Sequence, residues 1–151
     1  MMVLAGIEAN TLRQSFLTSF VDKKSMWYKE ILKQVHETNG GHYLGYLWDC
    51  LFRDNLKVVS MDFVYSFIRE RNSIYVFWDN HPRSYFPRTS IARDHTKDSL
   101  LKISAEELGT IINQLPEDSY LFDDSLSWAI ALTHEELSSG CRICYYLKIS
   151  A

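Results

Sequence analysis

The stretch DSYLFDDSLSWAIALTHEEL, Asp118 to Leu137, decides how this chain folds. Apolar and polar residues alternate along it. In an extended chain that places Trp128, Ile130 and Leu132 on one side and Ala129, Ala131 and Thr133 on the other. Asp123-Asp124-Ser125 supplies turn residues between the two halves, so the stretch reads as a β-hairpin with its indole side facing inward. Glu117, Asp118, Asp123, Asp124, Glu135 and Glu136 surround it with carboxylates, and no Lys or Arg interrupts them. The hairpin geometry sends Asp123 and Asp124 to one tip and the other four to the opposite tip, roughly five residues or ~17 Å away. Six acids so divided do not build one metal or acid–base site. They are expected to flank a buried hairpin and stay in water.

Three sequence signals that suggest chemistry lose force in this setting. His134-Glu135-Glu136 begins like a zinc-protease helix, but Ser138 stands where the second His is required, and a strand turns Glu135 away from His134. Cys141-Arg142-Ile143-Cys144 falls in the next strand, CRICYYLKI. Residues three apart there point to opposite faces, so the sulfurs do not meet, and Cys50 is the one remaining thiol for a metal site. Six glycines are present, with no Gly-rich phosphate loop among them.

Upstream of the hairpin, Ser104 and Glu107 form a capping box ahead of Leu108, Ile111, Ile112 and Leu115, and Pro116 closes that helix. SIYVFWD, from Ser73 to Asp79, is rich in β-branched and aromatic residues and reads as a strand. An irregular stretch follows from Asn80 to about Lys97. It interleaves Arg83, Arg88, Arg93 and Lys97 with Tyr85 and Phe86, and acids at Asp79, Asp94 and Asp98 nearly cancel its charge. It reads as a solvated loop that offers a binding surface. Ser60 caps a helix with Val64, Phe67, Ile68 and Arg71 at helical spacing. Leu44, Leu47, Trp48 and Leu51 suggest another helix. Asn10 caps a first helical stretch (Leu12, Phe16, Phe20) and Ser25 a second (Trp27, Ile31, Val35), either as one kinked helix or two, with Gly40-Gly41 as the stop.

The expected architecture is one α+β domain over residues 1–151. N-terminal helices pack on one face of a mostly antiparallel sheet of about four strands, built from SIYVFWD, the hairpin and the last strand. The 46% hydrophobic and 23% charged content suits a packed core. A net charge of -3 argues against broad binding to a phosphate backbone. Three cysteines, no basic leader region and no run of membrane-spanning length point to the cytoplasm, with no membrane partner.

YLWDCLF at 46–52, SIYVFWDN at 73–80 and DSYLFDDSLSWAIALTHEE at 118–136 together resemble a family of small, uncharacterised bacterial proteins. The Trp128-to-Glu135 pattern is the most specific part of that resemblance, which spans about the last two-thirds of the chain. The small, acidic layout is also similar to immunity proteins that neutralise bacterial toxin domains. The resulting expectation is a non-enzymatic protein-binding module with no cofactor and no metal. Its partner would be a basic toxin domain, possibly a nuclease. Asp79, Asp123, Asp124, Glu135 and Glu136 would form an acidic rim, and Tyr85 and Phe86 would act as aromatic anchors. The alternative is a small hydrolase-type enzyme using His81 or His134 with nearby carboxylates.

Overall fold

Strand β3, Ser73–Trp78, is buried along nearly its whole length, and its residues feed two different cores. Tyr75 and Phe77 face one side, while Ile74, Val76 and Trp78 face the other. In a computed structural model that describes residues 1–37, 46–79 and 99–149, this strand lies inside a seven-stranded sheet. Its remaining strands are β1 (Met2–Leu4), β2 (Leu56–Val59), β4 (Leu100–Ser104), β5 (Ser119–Phe122), β6 (Trp128–Glu136) and β7 (Arg142–Lys148). The spatial order is β1-β4-β3-β5-β6-β7-β2, and every pairing is antiparallel.

The α+β class and the antiparallel sheet agree with the sequence reading, but the count of about four strands is too low. The missed strands β1, β2 and β4 have three to five residues each, too few for a period of two to register. The expectation of helices on one face is also corrected. Helices α1 (Gly6–Phe20) and α2 (Met26–Glu37) pack on the Tyr75/Phe77 side, through Phe16, Phe20 and Ile31. Helices α3 (Met61–Arg69) and α4 (Ala105–Ile111) cover the opposite side with Val64, Ile68 and Leu108. A sheet covered on both faces needs strands that are apolar on both faces, and Ile74–Trp78 has that composition.

Several local signals act as expected. Ser60 Oγ accepts from the Phe63 N–H at 3.1 Å and Ser104 Oγ from the Glu107 N–H at 3.2 Å, capping α3 and α4. The Trp27 N–H donates to Ser25 Oγ at 3.2 Å. The chain between α1 and α2 is broken, with Val21 bridged to Leu51, so they are two helices. Asn10 is not a cap, because α1 already begins at Gly6, whose φ of 61° lets the chain turn out of β1. The helix expected around Trp48 is a single 3-10 turn, Leu47–Cys50, and Leu44 lies outside the described residues.

The core beneath α1 is aromatic. Phe16 is fully buried and its ring meets Phe20, Phe77, Tyr120 and Phe122 at centroid distances of 4.9–5.6 Å. Phe16→Ala is expected to destabilise the fold by about 3–5 kcal/mol, from lost burial plus the cavity left behind. Ser60→Ala, which removes one cap, should cost about 1 kcal/mol. Urea denaturation of both variants checks the order, and a Ser60 variant that costs more than the Phe16 variant contradicts this packing.

Candidate functional site

The end of β3, the middle of β6 and the start of β5 meet at one rim of the sheet, where the pairing brings Trp78, Ser119 and Leu132 side by side. The next residues outward are Asp79, Asp118 and Thr133-His134, and the Asp79 N–H donates to the Asp118 carbonyl at 3.1 Å. Between Leu132 and Glu136 the β6–β7 register shifts. Such an irregularity re-aims side chains, and here His134 meets Asp118. Its Nδ1 lies 2.9 and 3.1 Å from the two carboxylate oxygens, and its backbone N–H donates to the same group at 3.1 Å.

The 3-10 turn Leu47–Cys50 sits on this rim and is fixed from below. The Tyr120 hydroxyl donates to Asp79 Oδ2 at 2.6 Å and accepts the Trp48 backbone N–H at 2.9 Å. The Leu47 N–H approaches Asp79 Oδ2 at 3.4 Å. The Trp48 indole N–H donates to Asp118 Oδ1 at 3.0 Å. Above it Tyr46 stacks on Trp48 at 5.3 Å and Trp48 on Tyr145 at 5.8 Å, while the His134 ring lies tilted against Tyr46 at 4.7 Å. Asp49, on the same turn, feels the charges of Glu135 and Asp118.

Burial and like charge act together on this group. Asp79 is pushed up to about 8, first by burial and then by Asp118 and Asp49, against the opposing pull of the Tyr120 hydrogen bond. Burial also raises Asp49, with Glu135 and Asp118 adding to it. Burial carries the Tyr120 phenol well above its ordinary value, and the Cys50 thiol is pushed up to about 12, which removes it as a nucleophile.

Asp79, Glu135, Asp49 and Asp118 thus share one rim. Glu136 lies further along β6, opposite Arg142 on β7. Asp123 and Asp124 are at the far tip, and both have structural work there. Asp123 accepts the Trp128 indole N–H at 2.8 Å and the Ser125 N–H at 2.9 Å, and Asp124 accepts the Tyr75 hydroxyl at 2.7 Å. The division of acids between two tips agrees with the hairpin geometry, but the expectation that they simply stay in water does not hold for Asp118. Its side chain is 14% exposed and takes bonds from Trp48 and His134. Tyr85, Phe86 and His81 lie outside the described residues.

Cys141 is exposed and Cys144 buried, both as free thiols. Among the described residues no group of three or more His, Cys, Asp or Glu is arranged to hold a metal ion, and no helix is long and apolar enough to cross a membrane. Sequence reasoning missed Tyr46, Trp48 and Tyr120 as members of the site. The available signal was Tyr120, a phenol beside Leu121 and Phe122 in a fully buried strand, which on burial requires a polar partner. No protein-family model, curated protein or solved structure matches the chain.

The Asp79 shift has a definite consequence for stability. An unfolded Asp ionises near pH ~3.9, whereas folded Asp79 holds its proton to about pH 8. Between those values the native state binds more protons than the unfolded state, so this group's contribution to stability falls as pH rises and levels off above about 8. Asp79→Asn keeps an acceptor for Tyr120 and removes that dependence. It is expected to stabilise the protein by roughly a few kcal/mol at neutral pH and to change little near pH ~4. Denaturation midpoints of both proteins across that range check this, and an Asn variant less stable at neutral pH contradicts it.

Proposed function

We propose that the chain is a non-enzymatic protein-binding module, an immunity protein that binds and neutralises a cognate basic toxin domain in the cytoplasm. The observation that carries this reading is the rim where Asp49, Asp118 and Glu135 gather beside Tyr46, Trp48 and His134. Carboxylates set among aromatic rings are the chemistry that meets Lys and Arg side chains. The charges steer encounter, and planar rings give area at low entropic cost. A nuclease is a fitting target, because its active site is built for the phosphate backbone that a row of carboxylates imitates. Asp123 and Asp124 are less suited to this role than the sequence reading supposed, since they tie the far turn to Trp128 and Tyr75. Tyr85 and Phe86 stay in the proposal as anchors on the strength of the sequence alone. No cofactor is required.

A second reading, a small hydrolase, draws on the His134–Asp118 pair, since a carboxylate on Nδ1 is how a general-base imidazole is oriented. The two readings separate by experiment. The immobilised protein should capture a basic partner from the organism that encodes it, at low salt, and release it at about 1 M salt, where charge attraction is screened within ~3 Å. Asp49→Lys with Glu135→Lys should abolish capture, while His134→Ala should weaken it no more than about tenfold, the effect of one lost contact. Equal capture by the charge-reversed protein contradicts the binding reading. Hydrolytic activity of the wild type lost in His134→Ala favours the enzyme.

A further inference from the structure

An open sheet ends in two unpaired edges, and one of them here is β2. Leu56–Val59 pairs with β7 on one side and with no other strand among the described residues, so alternate backbone N–H and C=O groups point outward. The register fixes what flanks that edge. Side chains paired across an antiparallel ladder share a face. Lys57 therefore stands beside Tyr146 on the α3 side of the sheet, and Val58 beside Tyr145 on the other. Lys148, two residues beyond Tyr146, shares the Lys57 side and lies opposite Trp128. Diagonal neighbours on adjacent strands are about 7–8 Å apart, so the two lysines form a like-charged pair. Both are exposed, and neither has a hydrogen bond or ion pair among the described residues. The Phe63 ring, 36% exposed, packs on Tyr146 on that same side, and Val58 is 63% exposed on the other.

We propose that the outer edge of β2 takes an extended acidic segment of a partner protein as an eighth strand, with carboxylates of the segment facing Lys57 and Lys148 and apolar side chains facing Val58. Strand addition gives affinity through the backbone and selectivity through alternate side chains. A lysine on an edge strand ordinarily keeps other strands away, because an incoming chain covers its charge without a partner. A carboxylate in the incoming strand removes that penalty. The lysine pair then acts as a filter that rejects neutral and basic strands and admits acidic ones. A second copy of this chain fits the edge less well. Pairing β2 with itself in a continuous sheet sets Lys57 opposite or diagonal to its own copy, and like charges so placed repel. A nucleic acid would meet the lysines but would use neither the backbone edge nor Val58. The edge selects the opposite charge to the acidic rim. It adjoins the rim's ring stack at Tyr145, opposite Val58, yet it does not depend on what the rim binds.

The probe is a short peptide of alternating Glu and Val, titrated at low salt into the full, isotopically labelled chain and followed by NMR. The same peptide with Lys in place of Glu is the control. The acidic peptide should shift the amides of Leu56, Lys57, Val58 and Val59 and slow their exchange with solvent, and the basic peptide should do neither. Lys57→Glu, a change at an exposed position, should weaken the acidic peptide at least about tenfold and let the basic peptide bind in its place. If that variant does not fold, Lys148→Glu carries the same expectation. No shift in β2 at about 1 mM peptide, equal binding of both peptides, or unchanged binding in the charge-reversed variant overturns the proposal. So does a chain that doubles its mass through β2 without peptide, which would make a second copy the occupant. Tighter binding of a thymidine oligonucleotide than of the acidic peptide at Lys57 and Lys148 overturns it in favour of nucleic acid.

Discussion

One phenol joins the two halves of this structure. The Tyr120 ring is fully buried in the aromatic core beside Phe16 and Phe77, while its hydroxyl reaches the rim and holds both Asp79 and the backbone of Trp48. A buried hydroxyl needs partners, since leaving it unpaired costs about 1–3 kcal/mol. Here the partners are the acid that ends β3 and the turn that carries Trp48. Whatever packs the core therefore also sets where the acidic rim stands. The bond to Tyr120 favours charge on Asp79, but burial and the neighbouring carboxylates outweigh it, so the acid keeps its proton.

The rim and the far tip show how one residue type takes different roles. Asp123 and Asp124 each close a short loop, taking bonds from Trp128, Ser125 and Tyr75. Asp118 has a similar share of bonds, yet it sits among other acids and beside His134. Asp79, buried on the same rim, is held there at an electrostatic cost that pushes it up to about 8. Groups held at such a cost concentrate where charge or protons are used, which is why the rim, and not the tip, is the candidate site.

What could be read from the sequence follows from how far each determinant reaches along the chain. The strands β3, β5, β6 and β7 and the caps Ser60 and Ser104 depend on neighbours within a few residues, and their signals are plain. The short strands β1, β2 and β4 exist because longer strands are there to pair with, which no local pattern reports. Both-sided burial was written in Ile74–Trp78, a run with no polar alternation, but it was read as strand composition alone. The turn at Trp48 looked helical by its spacing. Its conformation is set by Tyr120 and Asp118, 72 and 70 residues away, and that separation hid the site as well.

The account stands or falls on the coupling between Tyr120 and Asp79. A double-mutant cycle of Tyr120→Phe and Asp79→Ala, each of which removes the hydrogen bond between them, read by urea denaturation at neutral pH, measures it directly. The account predicts that the two changes fail to add, with an interaction of about 1 kcal/mol or more. Additivity within about 0.3–0.5 kcal/mol would contradict it, and would mean that the acidic rim stands independently of the aromatic core.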